Sequence, residues 1–585
     1  MNRKNKILVT MITLIFFALN FTFVLANPTN DCVECSLAGD MCTAILIGKD
    51  ASIDGSTMTL QTADCGICDF RFYYVPAEEH EPGSERKIYA IPQLEDWPIE
   101  EEKACLSRDE IGFYQKTDTG NTIPQVERTN AYIRAVFGNI NEKQLGINES
   151  TVGSRSELAS PNADVSITEL TLIAMEQCET AREAIQLMGS VAEEFGYGQD
   201  WGGEMLAVSD PEEVWIFEIM PVGPLWTPKS GEPGAVWAAQ RVPDDEVSFC
   251  PNESRIGEID LDDPDHFMAS SNVISFAVEK GYYDPESGEP FRFNMAYSPQ
   301  TDSAMSSGGR RARMWRLFDL VAPSKGFSPD TPNNEFPFSV KPDKKISVQD
   351  LMTISRDKYE GTQFAPGEGV SGGPFGNPRY YNTSIQLDGK NYSSPRLISL
   401  NTAEYTTIVQ LRDWLPDEIG GILWIALGAQ DTSCYLPFYA GVNTIPESLT
   451  VGNHWEMNRD SARKAMDYVD FHTAVAYDVL IEDVKESQYK WEGDALTHTP
   501  TVDMKAYDLY LQDPEKAREY LTDYCTDNAN QVVDAWWELG DDLFVKYNHF
   551  RIYTVEDGQR KSGRITLPEW YQRLVVQEDN LTPVE

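Results

Sequence analysis

Cys42-Thr43-Ala44-Ile45-Leu46-Ile47-Gly48-Lys49-Asp50-Ala51-Ser52-Ile53-Asp54-Gly55-Ser56-Thr57-Met58-Thr59-Leu60-Gln61-Thr62-Ala63-Asp64 reads as a β-hairpin. Thr43 to Ile47 is a short apolar run, the pattern of a buried strand. Asp50 to Gly55 turns the chain, and Ser56 to Thr62 returns as a second strand. The hairpin sets Cys42 at the end of one strand with Asp64 near it.

Cys42 is the residue with the most chemistry to offer. A nucleophile needs a base within hydrogen-bond reach. A cysteine at a chain terminus carries one on the same residue, because its α-amine lies only a few bonds from the sulfur. The reference pKa of that amine is roughly 7.7–8.0 against about 8.5 for the thiol, so both groups are poised near neutrality. No histidine is then required. The six present, His80, His266, His454, His472, His498 and His549, lie in no nucleophile motif. The plainer alternative is a buried thiol that opens a strand, a common place for free cysteine.

What precedes Cys42 bears on this. Residues 1–26 read as a signal peptide: Asn2-Arg3-Lys4-Asn5-Lys6 is the charged region, Ile7 to Leu19 the apolar run, and Val24-Leu25-Ala26 the cleavage site. An uncleaved membrane anchor is the alternative. Residues 27–41 are then a propeptide whose removal would leave Cys42 first. The expected location is secreted, or lumenal or vesicular.

From Cys42 onward the text resembles the dipeptidase A-like cysteine peptidases among the N-terminal-nucleophile hydrolases, with bile-salt hydrolases and penicillin V acylases as more distant relatives. Further blocks match in order: Asn141 to Ile147, Ala238 to Asp245, Asn252 to Gly257, Arg310 to Leu317, Thr407 to Arg412, and Gly420 to Trp424. The resemblance implies Cys42 as nucleophile, Asp64 as the group holding its freed amine, and Asn252 as the oxyanion-hole side chain. The segment ending at Thr151 is the place for a second donor. It implies a four-layer αββα sandwich and hydrolysis of dipeptide amide bonds, with no cofactor or metal. One position departs from the family pattern. Relatives usually carry Arg three residues before the Asp, and here Gln61 stands there; a neutral amide cannot lower a thiol pKa by charge. An acylase acting on non-peptide amides and a non-catalytic member used for interaction are the alternatives.

Composition bounds the partners. The formal net charge is −45, from 93 acidic and 48 basic residues, which disfavours nucleic acid and anionic membrane. Small peptides are the expected partners, with no membrane contact after signal cleavage, and a homo-oligomer is left open. Two CxxC pairs, Cys32/Cys35 and Cys65/Cys68, admit structural zinc, a disulfide holding the propeptide, or two unrelated local pairs, and spacing alone favours the last.

The rest of the chain reads as α+β. Ser166-Ile167-Thr168-Glu169 and Thr180-Ala181-Arg182-Glu183 are capping boxes that open helices through Cys178 and to Phe195, the second stopped by Gly196. Strands are expected at Met205–Ser209, Val214–Ile219, Val236–Gln240, Thr406–Leu411 and Ile422–Ala429. Residues 42–450 form the expected hydrolase domain and 451–585 a helical region, with helices at 460–486, 505–524 and 530–547. Trp536, Trp537 and Phe544 are its packing residues. Gly369-Val370-Ser371-Gly372-Gly373 fits GxSxG and overlaps a GxGxxG. Pro366, Pro374 and Pro378 argue for a surface or gating loop instead. Asn148, Asn252, Asn382, Asn391 and Asn580 open glycosylation sequons.

Overall fold

β1 (Thr43–Ile47) and β2 (Thr57–Ala63) form the expected hairpin, with Thr43 opposite Thr62 and Ile47 opposite Met58. The structure is a computed structural model that describes residues 42–65, 68–91, 117–198, 202–299, 308–380, 384–579 and 581. The expected leader and propeptide at 1–41 lie outside the described residues, and so do Cys32 and Cys35.

β3 (Tyr73–Val75) is followed by the paired β4 (Glu85–Ala90) and β5 (Thr117–Pro124). Then come β6 (Tyr132–Arg134), β7 (Gly138–Asn141) and β8 (Gly146–Val152), and the helices Ile167–Gln177 and Ala181–Phe195. β9 (Gly203–Ser209), β10 (Val214–Met220), β11 (Val236–Arg241), β12 (Val247–Cys250) and β13 (Phe267–Ala269) precede a helix at Gly308–Val321. β14 (Ser339–Val340), the helix Val348–Ser355, and the hairpin β15 (Ser384–Leu387) and β16 (Lys390–Ser393) lead to β17 (Tyr405–Leu411), β18 (Ile422–Leu427) and β19 (Leu436–Tyr439). The chain closes with helices Ala462–Thr473, Tyr477–Tyr510 and Pro514–Tyr547, the hairpin β20 (Arg551–Glu556) and β21 (Gln559–Arg564), and the helix Glu569–Glu578.

These strands make two large antiparallel sheets. One runs β14-β12-β1-β2-β17-β18-β19 and the other β13-β11-β10-β9-β8-β7-β6-β3. β1, β2 and β17 of the first touch β8, β9 and β10 of the second. The second sheet carries the helix Ala181–Phe195 against β9, β10 and β11. The first carries Gly308–Val321 on β12, Val348–Ser355 on β2 and β17, and the C-terminal helices on β18 and β19. β1 is buried along its whole length, which is why it reads as a continuous apolar run. Ala44 and Leu46 join Met205, Ala207, Ile216 and Ala238 in one core, while Ile45 and Ile47 belong to another with Met314, Leu317 and Leu351.

Local signals hold at most boundaries. Thr180 and Glu183 form the complete capping box, and Gly196 ends that helix at φ 80°. The Ser166 box is only half formed. Ser166 accepts from the Glu169 amide, but the Glu169 carboxylate turns instead to Arg86 and the Tyr89 N–H. Asp210 accepts from the amides of Glu212 and Glu213 and so closes the β9–β10 turn.

The C-terminal region is helical, with corrections. The helix expected over 460–486 breaks at 474–476, and the one expected over 505–524 breaks where Asp513 caps a new helix with Pro514 in its first turn. The β20–β21 hairpin was not expected there. Trp536 is fully buried and donates to the Thr432 carbonyl at 3.0 Å, and Trp537 is half-buried, but Phe544 is exposed rather than packed. Cys65 and Cys68 form a disulfide, so these two sulfurs are not zinc-ligating thiolates. No helix among the described residues is long and apolar enough to cross a membrane.

The Gly/Pro-rich loop is a chain of short 3-10 turns at Pro366–Glu368, Val370–Phe375 and Pro378–Tyr380, with neither the strand nor the α-helix that a nucleophile elbow needs. Arg379 pins it by forking onto Asp431, 2.8 Å from each oxygen, and by pairing with Asp470. Burial pulls the Asp431 carboxyl up, but Arg379 and Lys358 overcome it and hold the group far below the usual carboxylate range. A carboxylate held down in this way contributes stability above its unfolded pKa of about 3.9, lost as pH falls below that value. Asp431→Asn is therefore expected to lower the melting temperature at pH 7. Melting curves from pH 7 to pH 3 should show the gap to wild type closing below about pH 4.

Candidate active site

The sheet register assembles the site. Ala44 lies opposite Cys250 on β12, so two steps further along the pair Cys42 meets Asn252. Thr43 lies opposite Thr62 on β2, so Asp64 stands one step past the residue that faces Cys42, on its amino-terminal side. An antiparallel sheet with β1 between β12 and β2 thus brings together three residues that are 22 and 188 positions apart.

Cys42 is buried, and its thiol donates to Glu149 Oε2 at 3.2 Å. Glu149 lies on β8, in the other sheet. The same oxygen accepts from Gln61 Nε2 at 3.2 Å, and Oε1 accepts from Thr151 Oγ1 at 2.9 Å. Glu149 also shares a side-chain hydrogen bond with Glu204, and burial raises its pKa. Gln61, in place of the family's arginine, is thus an amide bonded to a carboxyl group.

Asp64 is a buried carboxylate with three ligating side chains. Arg396 Nη2 and Thr62 Oγ1 each donate to Oδ2 at 2.6 Å, and Gln430 donates to Oδ1 at 3.4 Å. Burial raises its pKa, against the opposing pull of Arg396, Thr62 and Arg313. The Thr43 amide donates to the same Thr62 hydroxyl at 3.0 Å, so Asp64 is wired to the start of β1 through one side chain.

Asn252 has φ 65°, a left-handed backbone that asparagine adopts more readily than most residues. Its Nδ2 donates to the Thr151 carbonyl at 2.8 Å and lies 3.5 Å from Ser150 Oγ. The second contact is too long to hold that N–H firmly. Asn252 is 2 % exposed and Asn148, bonded to Thr59 and Thr407, is fully buried, so neither sequon presents its asparagine to solvent.

Arg313 completes the cluster. It is fully buried on the helix Gly308–Val321. Nη1 donates to the Cys42 carbonyl and Thr43 Oγ1, both at 2.9 Å, and Nη2 donates to the Pro251 carbonyl at 3.1 Å and Asn252 Oδ1 at 2.9 Å. One guanidinium therefore fixes the cysteine backbone and the asparagine side chain relative to each other, and its charge sits among the reacting groups. The residues after Asn252 line a cavity of about 220 Å³, with Glu253, Arg255, Arg292, Asn294 and Asn333 in its wall.

A thiol, a buried carboxylate beside the start of β1, an amide donor and a buried guanidinium are the parts of an acyl-transfer site. The family model for peptidase family C69 matches residues 41–490, beginning one residue before Cys42. The chain belongs to peptidase family C69. It is a hydrolase of peptide bonds. Among its relatives are a probable dipeptidase of Latilactobacillus sakei, 25% identical over 438 residues that cover 71% of this chain and 79% of that protein. A probable dipeptidase A of Streptococcus pyogenes serotype M18 is 24% identical over 507 residues, 84% of this chain and 94% of the relative. Dipeptidase A of Lactobacillus helveticus is 24% identical over 425 residues, 72% of this chain and 79% of the relative.

Sequence reasoning named Cys42, Asp64 and Asn252, and the structure brings all three to one end of β1. It missed Arg313, Glu149 and Arg396. Arg313 had a signal: it shares a helix face with Leu317 and Val321, where an arginine is out of place. Glu149 sat inside a sequon read for glycosylation. Nothing around Arg396 in the sequence marks it as the partner of Asp64, 332 residues away.

Proposed function

We propose that this C69 peptidase is a secreted or lumenal cysteine dipeptidase whose nucleophile is Cys42, exposed as the first residue of the mature chain. The observation that carries the reading is the register of β1. It sets Cys42 against Asn252 on one side and beside Asp64 on the other, with Arg313 bonded to both the cysteine and the asparagine. Dipeptides are the substrates that the relatives' names give. Two contacting antiparallel sheets, each with its own helices, support the αββα sandwich of the N-terminal-nucleophile hydrolases.

In this reading the signal peptide at 1–26 leaves first. The Cys42 thiol then adds to the carbonyl of residue 41, the C–N bond to Cys42 breaks as its nitrogen takes up the proton, and water hydrolyses the resulting thioester to release the propeptide 27–41 and restore the thiol. The new ammonium lies beside Asp64, whose ionised form it stabilises in place of the lost solvation. In turnover the neutral α-amine takes the thiol proton and the thiolate adds to the scissile carbonyl. Asn252 Nδ2 donates to the oxyanion, and loss of such a donor costs roughly 3–4 kcal/mol of barrier. The α-ammonium returns the proton to the leaving nitrogen as the C–N bond breaks. Water, deprotonated by the same amine, then cleaves the thioester and regenerates the thiol.

Intact mass and N-terminal sequencing of the protein recovered from the medium of an expressing host test this directly. The expected chain begins at Cys42 and hydrolyses free dipeptides. A fully active protein that retains residues upstream of Cys42 overturns the reading.

A further inference from the structure

The mechanism above uses Cys42, Asp64, Asn252 and Arg313, and leaves Glu149 without a task. Glu149 nevertheless lies within hydrogen-bond reach of the sulfur. Its Oε2 is 3.2 Å from Cys42 Sγ, and it is 1 % exposed. Once the thiol proton leaves, a thiolate faces a carboxyl oxygen with little water to screen them, and the hydrogen bond that joined them is gone. A cation placed between the two relieves that repulsion.

A second observation points to the same place. Gln61 is fully buried and its Nε2 is bonded to Glu149, yet its Oε1 has no donor among the described residues. A buried acceptor without a donor costs about 1–3 kcal/mol, so the site is built for a donor that arrives with the ligand.

Accepting the dipeptidase reading, we propose that Glu149 and Gln61 form a subsite for the free α-ammonium of the substrate, with Glu149 Oε2 and Gln61 Oε1 as its acceptors. The covalent geometry of a dipeptide fits. Its amino nitrogen is two bonds, about 2.5 Å, from the scissile carbonyl carbon, as N–Cα is about 1.46 Å and Cα–C about 1.52 Å. With that carbon about 3–3.5 Å from the sulfur for attack, the nitrogen falls within charge-assisted hydrogen-bond reach of an oxygen 3.2 Å from the same sulfur. The ammonium supplies Gln61 with its missing donor and takes over the place on Glu149 that the thiol vacates. Glu204, bonded to Glu149, holds the carboxyl in position. Glu149 thereby selects substrates whose scissile carbonyl is next to a free amino terminus, and rejects acylated ones.

Ala-Ala and propionyl-alanine differ only by that amino group. Wild type is expected to favour Ala-Ala by at least about 100-fold in kcat/KM, and Glu149→Gln to lose most of that preference, so that the ratio of the two substrates falls by at least about tenfold whatever the change in absolute rate through its contact with the thiol. Glu149→Asp should restore part of the preference. Melting curves of each variant show whether it is folded. If Glu149 instead acts as a neutral hydrogen-bond donor, the glutamine amide replaces it and Ala-Ala turnover persists, which overturns the subsite. Equal losses on both substrates overturn it too. Calorimetric binding of 5-amino-2-methylhexanoate and 2-methylhexanoate, uncleavable mimics with and without the amine, separates the two readings. Tighter binding of the amine by wild type but not by Glu149→Gln supports the subsite even in a protein that hydrolyses no dipeptide, a result that would overturn only the dipeptidase reading. Equal binding of the two by wild type overturns the subsite whether or not dipeptides are cleaved.

Discussion

Cys42→Ala is expected to abolish peptide hydrolysis, with a drop of more than about 10⁴-fold in kcat/KM on dipeptides. The thiol is bonded to Glu149 and the Cys42 carbonyl to Arg313, which also holds Asn252, and alanine puts no nucleophile at that place. Under the proposed mechanism the same substitution should leave residues 27–41 attached, because the same thiol would release them. Cys42→Ser separates the two requirements. A hydroxyl keeps the position but is a far weaker nucleophile near neutrality, so slow processing with little turnover is expected. The measurements are intact mass and a ninhydrin-type assay of released amino acid. An unchanged rate in purified Cys42→Ala would remove this cysteine from the chemistry.

Arg313→Met should be the most damaging substitution away from the nucleophile. The guanidinium makes four hydrogen bonds that no methionine replaces. Its removal leaves the Cys42 and Pro251 carbonyls and Asn252 Oδ1 short of a donor in a buried region, at about 1–3 kcal/mol each. Relaxation recovers part of this, so a loss of about 3–5 kcal/mol in unfolding free energy by urea titration is expected. Activity should fall further than stability explains, by about 100-fold in kcat at temperatures where the variant is folded. Asn252 then no longer has a fixed position relative to the cysteine. Arg313→Lys keeps the charge but not the planar fork, and should recover stability better than rate. Wild-type stability and rate in Arg313→Met would show that this hub does not organise the site.

Much of the fold is local in origin and was legible for that reason. The β1–β2 hairpin follows from an apolar run, a turn rich in Asp and Gly, and a second β-forming run. The Thr180 box and Gly196 bracket a helix because the side chains that satisfy its end groups are within four residues of them. Errors arose where distant partners compete for a local group. Glu169 leaves its own helix cap for Arg86. The break at Asp513-Pro514 carried a readable cap and proline signal, but it was hidden by apolar periodicity that continues on both sides.

The sequence by itself determined the hairpin, the antiparallel α+β class, and the placement of Cys42 beside Asp64 and Asn252 along the sheet. These depend on residue type and on strand pairing, whose period of two carries over many positions. Only the tertiary structure decided which of the Arg310–Arg316 cations is buried over Cys42, that Arg396 answers Asp64, and that Glu149 reaches the sulfur from the opposite sheet. Each of those contacts spans at least 107 residues of chain. The energy of a buried charge depends on what surrounds it in space, and a one-dimensional pattern does not contain that information.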